Sequence, residues 1–293
     1  MTARPRLVLA YSGSPRTTAA IPALARDQGA DVVAVTLDLG QGGDLDDVRQ
    51  RALAAGAVRA HVLDVREELA RAYILPALQA GALGRGAGPI PTLDRPLIAR
   101  TLVEIARIEG APIVAHGCLP EAGDRARIEA AVRELEASLR IVAIAGAAAA
   151  APPPPARPAT PAPDAPASVE LAFERGVPVA INGVEMTLAE LLESVATIAA
   201  GHGVRAAVVQ AAHDALEART ARADLREARR RNAARYAAII DAGSWFAPER
   251  AALDAACAAS QDVVTGTVRV ELFQGACTIA GVRSPFAPEP ARA

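Results

Sequence analysis

Leu7-Val8-Leu9-Ala10-Tyr11-Ser12-Gly13-Ser14-Pro15-Arg16-Thr17-Thr18 runs from apolar residues into small hydroxyl and glycine residues, then into a segment with helical patterning. That order predicts strand, loop, helix. Such a loop gathers backbone N–H groups at a helix N-terminus, where their partial positive charge favours phosphate oxygens. Ser12, Thr17 and Thr18 add hydroxyl donors. No Gly-Lys-Ser/Thr follows and the chain contains no lysine, so this is not a Walker A loop. The plainer reading of the same residues is a buried strand feeding an N-capped helix, with no ligand.

Working outward, strands and helices alternate. Thr17 to Gly29 reads as a helix that either starts late, with Pro22 in its first turn, or is kinked there. Asp31 to Leu39 is a near-continuous β-branched run, as expected of a strand buried on both faces of a parallel sheet. Gly40-Gln41-Gly42-Gly43 turns the chain, and Asp44 caps a helix through Ala55. Val58 to Leu63 is the next strand and Val65 to Ala80 the next helix. This alternation predicts an α/β fold with a doubly wound parallel sheet. A ligand then belongs at the carboxyl ends of the strands, where Ser12 to Thr17 and Asp38 to Gln41 both emerge.

Over 293 residues the composition is 52% hydrophobic but 3% aromatic, which predicts a light core rich in alanine and valine. A net charge of −2 gives no reason to expect nucleic acid. Cys118, Cys257 and Cys277 have no metal-ligand spacing, so no metal site is expected. With no leader and no apolar run long enough to span a bilayer, the expected compartment is the cytoplasm and no membrane partner is expected. His116 and Cys118, after the strand that begins at Ile113, read as packing residues.

Residues 146–167, with Pro152-Pro153-Pro154-Pro155, read as a polyproline spacer or tether. Beyond it, Ser168 to Phe173 and Val177 to Asn182 form a hairpin with Glu174-Arg175-Gly176 at the bend. Thr187 caps a helix from Leu188 to Ala200, three residues before Glu190. Asp224 to Ile240 is a helix whose Arg229-Arg230-Arg231 reads as a solvated face.

The opening loop resembles that of the PP-loop ATP pyrophosphatases, which split ATP into AMP and pyrophosphate. Within that group it is similar to argininosuccinate synthase, whose loop is typically Ala-Tyr-Ser-Gly-Gly-Leu-Asp-Thr-Ser. Ala10, Tyr11, Ser12, Gly13 and Thr17 are kept. Ser14 replaces the second glycine, Pro15 the leucine, Arg16 the aspartate and Thr18 the last serine. Arg95-Pro96-Leu97-Ile98-Ala99-Arg100 is similar to the family's Ala-Arg-Pro-Leu-Ile-Ala helix, and Leu37, four before Gln41, takes the place whose backbone contacts adenine. After Cys118 the family continues Thr-Gly-Lys-Gly-Asn-Asp-x-x-Arg-Phe; here Asp124 and Arg127 survive, and Glu121 stands for the lysine. Where the family has citrulline-contacting tyrosine and serine, Gly84 and Pro91 stand, with Thr92 nearby. Gly176 to Gly183, Ala212 to Glu217, Gly243 to Arg250 and Val264 to Leu272 are similar to the family's second domain.

The resemblance implies a PP-loop nucleotide-binding domain, adenine nucleotide alpha hydrolase-like, over 1–145, and a smaller, trimmed α+β domain of synthetase or oligomerisation type over 168–293. It implies ATP and Mg2+ as cofactors. The nucleotide would lie on Ala10, Tyr11, Ser12, Gly13, Ser14, Arg16, Thr17, Thr18, Leu37 and Gly117, and substrate on Thr92, Asp124 and Arg127. The family joins citrulline and aspartate in an ATP-dependent ligation. Ser14 should narrow the phosphate cradle, Pro15 removes a donor, and Arg16 cannot serve magnesium as a carboxylate. The expectation is therefore an impaired or inactive ligase with a weakened ATP site, as a homo-oligomer or associated with an intact synthase. The alternatives are an active AMP-forming ligase with a changed substrate, and a regulatory subunit.

Overall fold

In the computed structural model, residues 4–83, 93–118, 123–144, 165–204 and 207–287 are described. The chain divides into two compact units, the first from 1–66, 92–156 and 242–247, the second from 67–91, 157–241 and 248–293. Thr92, Glu121 and nearly all of the proline-rich stretch lie outside the described residues.

The first unit opens with β1 (Arg6–Ala10), α1 (Pro15–Asp27), β2 (Asp31–Asp38), α2 (Leu45–Ala54) and β3 (Arg59–Asp64). Helix α1 starts earlier than its sequence suggests, and Pro22 lies in its interior rather than its first turn. Ser14 supplies an N-cap, and the fixed φ and missing N–H of Pro15 suit the first helical position. Asp44 caps α2 as expected, its side chain accepting from the Asp47 N–H at 3.0 Å.

Past β3 come the short helices α3 (Arg66–Glu68) and α4 (Leu75–Gln79), separated by a π-helical stretch, Leu69–Ile74. The single helix expected here is thus broken in register. Leu75 donates its N–H five residues back to Ala70, directly before Pro76, which has no N–H to give. The first unit resumes with α5 (Asp94–Glu109), β4 (Ile113–His116), α6 (Asp124–Leu135) and β5 (Arg140–Ala143).

All five strands are parallel, in the order β3-β2-β1-β4-β5. This is the doubly wound α/β sheet that the alternation implies. Leu7, Leu9, Ile21, Val32 and Ala115 are fully buried about β1; each large aliphatic contributes roughly 1.5–3 kcal/mol. At the far end of the sheet the buried Glu109 carboxylate accepts from Arg6 at 2.6 Å and Arg59 at 2.9 Å, tying α5 to β1 and β3. Gly243 also belongs to this unit: with φ at +73°, a Cβ there would come within 2.6 Å of the Arg127 backbone on α6.

The second unit carries an antiparallel sheet ordered β10-β9-β6-β7-β8, from β6 (Ala167–Glu174), β7 (Val177–Ile181), β8 (Val184–Glu185), β9 (Gly266–Phe273) and β10 (Ala276–Arg283). Val169, Leu171 and Phe173 on β6 and Val268, Val270 and Leu272 on β9 alternate into the core. The hairpin bend is the expected one. Its Gly176 has φ at +75° and abuts Gln261, leaving no room for a Cβ. Helices α7 (Leu188–Gly201), α8 (Val208–Thr220), α9 (Ala223–Ala242) and α10 (Pro248–Ala258) complete the unit. The capping box of Thr187 and Glu190 opens α7. No described helix is long and apolar enough to cross a membrane.

Candidate functional site

Strand order reverses between β1 and β4, so the loop after β1 and the turn after β4 emerge side by side at the carboxyl edge. Between them lies a cavity of about 500 Å³. Ala10, Tyr11, Ser12, Ser14, Arg16 and Thr17 line it, and so do Leu37, Gly117 and Asp124. Three of the other residues singled out in the sequence support this wall rather than form it. Gly13 makes the turn at φ +72° against Val48, Thr18 shares a 2.8 Å hydrogen bond with the Tyr11 hydroxyl, and Arg127 lies 3.4 Å from the Asp124 carboxylate. Thr92 lies outside the described residues.

The loop spends much of its hydrogen bonding on itself. The hydroxyls of Ser12, Ser14 and Thr17 lie 3.0–3.2 Å apart, and the Thr17 N–H donates to Ser14 Oγ at 3.3 Å. Ser14 sits at φ −70°, an extended conformation in which its Cβ is unstrained. Tyr11 is fixed by a Thr36 hydroxyl donating to its carbonyl at 3.0 Å. On β2, the Leu37 carbonyl is taken by the Gln41 side-chain amide at 2.8 Å.

Sequence reading missed Asp94 and Arg95 as site residues. Arg95 donates to Asp124 at 3.0 Å and lies 3.5 Å from Asp94. Burial, reinforced by the Asp124 charge and opposed by Arg95, pushes the Asp94 carboxyl up to about 6. Burial works against the charge on Arg95, but the two carboxylates outweigh it and hold the guanidinium above its ordinary range. Arg95 lies within the segment similar to the family, so position there was the available signal; nothing local marked Asp94.

His116 is packed, at 1% exposure, yet it also forms part of the cavity wall. Its Nδ1 accepts the Cys118 N–H at 3.3 Å, which leaves the proton on Nε2, 3.6 Å from Glu129. Burial pulls its pKa down, with Arg125 and Arg16 adding to this and Glu129 opposing, so the ring is neutral at pH 7. Burial raises the Cys118 thiol, which makes it a poor nucleophile. Arg16 Nε, Asp94 Oδ1, Arg95 Nε and His116 Nε2 are all buried without a hydrogen-bond partner, a concentration of unmet polar groups around one cavity.

In the second unit, ligand atoms of His213, Asp214 and Glu217 lie within 4.8 Å of one another. Arg229 already supplies their cation. Its guanidinium is ion-paired to Glu217, donates to Asp214 at 2.8 Å and caps the Gln79 carbonyl at 2.8 Å. Its side chain is only 11% exposed, so Arg229 corrects the reading of the arginine run as a solvated face; Arg230 and Arg231, each 68% exposed, fit that reading.

Residues 6–151 match the model of the Arginosuccinate synthase N-terminal HUP domain, and residues 155–207 and 204–287 that of the Arginosuccinate synthase C-terminal domain. The chain belongs to the argininosuccinate synthase family. It is 35% identical to the argininosuccinate synthase of Pelotomaculum thermopropionicum, covering 96% of this chain and 88% of that one. The enzyme of Geobacillus thermodenitrificans is also 35% identical, covering 97% and 87%. Among solved structures, a universal stress protein in complex with cAMP is 17% identical at a TM-score of 0.30, covering 49% of this chain and 98% of that one. Within its loop, Ser14 is an N-cap that takes up the Thr17 N–H, and Pro15 has no N–H to offer.

Proposed function

We propose that this chain holds ATP in the cavity between β1 and β4, weakly, and that it is impaired or inactive in the family's ligation of citrulline and aspartate. The observation that carries this reading is the self-satisfied loop. The Thr17 N–H and three hydroxyls that would face phosphate are bonded to one another. Arg16 and Arg95, cations in the wall of the cavity, support a retained anionic ligand. Asp124, the acid that the resemblance assigns to substrate, has both oxygens facing guanidinium groups, those of Arg95 and Arg127.

Ligation of this kind works by positioning and charge stabilisation, and one lost donor commonly costs about 3 kcal/mol, two orders of magnitude in rate. The test uses purified protein with ATP, citrulline and aspartate. Calorimetric ATP binding without argininosuccinate is the expected result; argininosuccinate formed at a rate comparable to that of the Geobacillus thermodenitrificans enzyme sinks the proposal. A second reading, an AMP-forming ligase with a changed substrate, is favoured by the retained Asp124 and Arg127 together with the substituted Arg16, which would be its binding groups. Pyrophosphate release on screening amines and carboxylates against ATP would support it.

A further inference from the structure

Magnesium bound with a nucleotide is held by one or two carboxylates together with the phosphates. Among the described residues lining the cavity, the carboxylates are Asp94 and Asp124, and both are held by Arg95. The unpaired Oδ1 of Asp94 is enclosed and not open to the cavity. At the phosphate loop itself the charged residue is Arg16, a cation. Among the described residues, the donor set therefore does not fit a metal held by protein carboxylates.

Arg16 is placed for a different task. It sits on the first turn of α1, next to Thr17, and lines the cavity. Its Nε is enclosed like Asp94 Oδ1, but the residue lines the cavity and its guanidinium is ion-paired to no described carboxylate. Its charge disfavours protonation of His116 and favours the Cys118 thiolate, in each case as a smaller influence than burial. A guanidinium in this state matches the paired oxygens of a polyphosphate, for which arginine offers a planar fork of donors.

We propose that Arg16 takes the place of loop-held magnesium, so that this cavity selects the metal-free polyphosphate of ATP over the magnesium complex. This rests on the nucleotide reading above. Chelation by magnesium lowers the phosphate charge that Arg16 would meet and occupies the oxygens its fork would engage. The same substitution that removes a metal ligand thus supplies a counter-charge. Pro15 and the Ser14 cap, which cost the loop two N–H donors, leave the guanidinium as the main phosphate group.

Calorimetric titration of the full chain at constant ionic strength, with ATP in excess chelator and with ATP in excess magnesium, decides this. The expected result is metal-free ATP bound at least tenfold more tightly than the magnesium complex. Arg16→Gln should weaken metal-free binding at least tenfold, and Arg16→Asp should reverse the preference, with unchanged melting curves showing that both variants fold. Equal or tighter binding of the magnesium complex by the unaltered chain overturns the inference while leaving the nucleotide site standing. Absence of binding in both arms removes the nucleotide site and the inference together.

Discussion

Arg95 donates to Asp124 at 3.0 Å while standing 3.5 Å from Asp94, so a single guanidinium on the first turn of α5 serves two acids. Asp124 also faces Arg127, whereas Arg95 is the cation beside Asp94, and burial, reinforced by the Asp124 charge, pushes the Asp94 carboxyl up from 3.8 to about 6. In the folded chain Asp94 holds its proton more tightly than in the unfolded chain, so its ionisation costs stability as pH rises through that interval. Asp94→Asn should therefore be close to neutral below pH 4 and stabilising by up to about 3 kcal/mol at pH 8. Urea unfolding at the two pH values checks this, and a loss of stability at pH 8 would show that the charge on Asp94 is needed to hold Arg95.

Gly13 turns the loop at φ +72°, where an added Cβ meets Val48 Cγ2 at 3.0 Å and Arg51 Nη2 at 3.1 Å. Gly13→Ala incurs both left-handed strain and a contact that Val48 must relieve, and should cost about 1–3 kcal/mol. Because the shift displaces Ser12 and Ser14, ATP affinity should fall with stability. Denaturant unfolding and calorimetry on the same sample report the two effects.

Ser14 has two separable roles. Its hydroxyl caps α1, so Ser14→Ala should destabilise by about 1 kcal/mol, whereas glycine, a tolerated N-cap, should cost only about a few tenths. Ser14→Gly also frees the Thr17 N–H now bonded to Ser14 Oγ and removes a Cβ from the phosphate cradle. Binding of ATP should consequently tighten several-fold in Ser14→Gly. If it weakens instead, the Ser14 hydroxyl is itself a ligand group and the self-capped loop is not the source of weak binding.

What the sequence discloses and what it hides follow a physical division. The Ser14 cap after β1, the Asp44 cap and the Thr187–Glu190 box are local, with hydrogen bonds that close within a few residues. The near-continuous β-branched run of β2 declares burial on both faces although its ladder partners are distant, so composition and spacing specify all four. Arg95 and Asp124 are 29 residues apart, and nothing near Asp94 announces that it shares their site. Arg229, Arg230 and Arg231 look alike in sequence, yet only Arg229 finds the Leu78 and Gln79 carbonyls and the Asp214 and Glu217 carboxylates. The π-helical register at Leu69–Ile74 depends on how Pro76 is accommodated, which periodicity alone does not reveal. Arg16 is a mixed case. Its identity as a charge reversal is plain from sequence, but the absence of any described ion-pair partner is a property of the fold.

The Arg229 network sets two opposed pH dependences. Burial pushes the Glu217 carboxyl up to about 7, against the pull of Arg229, and burial together with Arg229 pushes His213 down to about 4. For Glu217 the folded chain binds the extra proton, so stability falls as pH rises from about 4.5 to 7. For His213 the unfolded chain binds the extra proton, so stability falls as pH drops from 6.5 to about 4. The two oppose each other over the shared interval. Glu217→Gln should leave the His213 effect uncovered, making stability rise more steeply with pH than in the unaltered chain. His213→Gln should tilt the same profile the other way, with greater loss of stability toward neutral pH. Denaturant unfolding between pH 4.5 and 7 gives both slopes; a slope unchanged in either variant shows that the altered residue binds no more protons in one state than in the other.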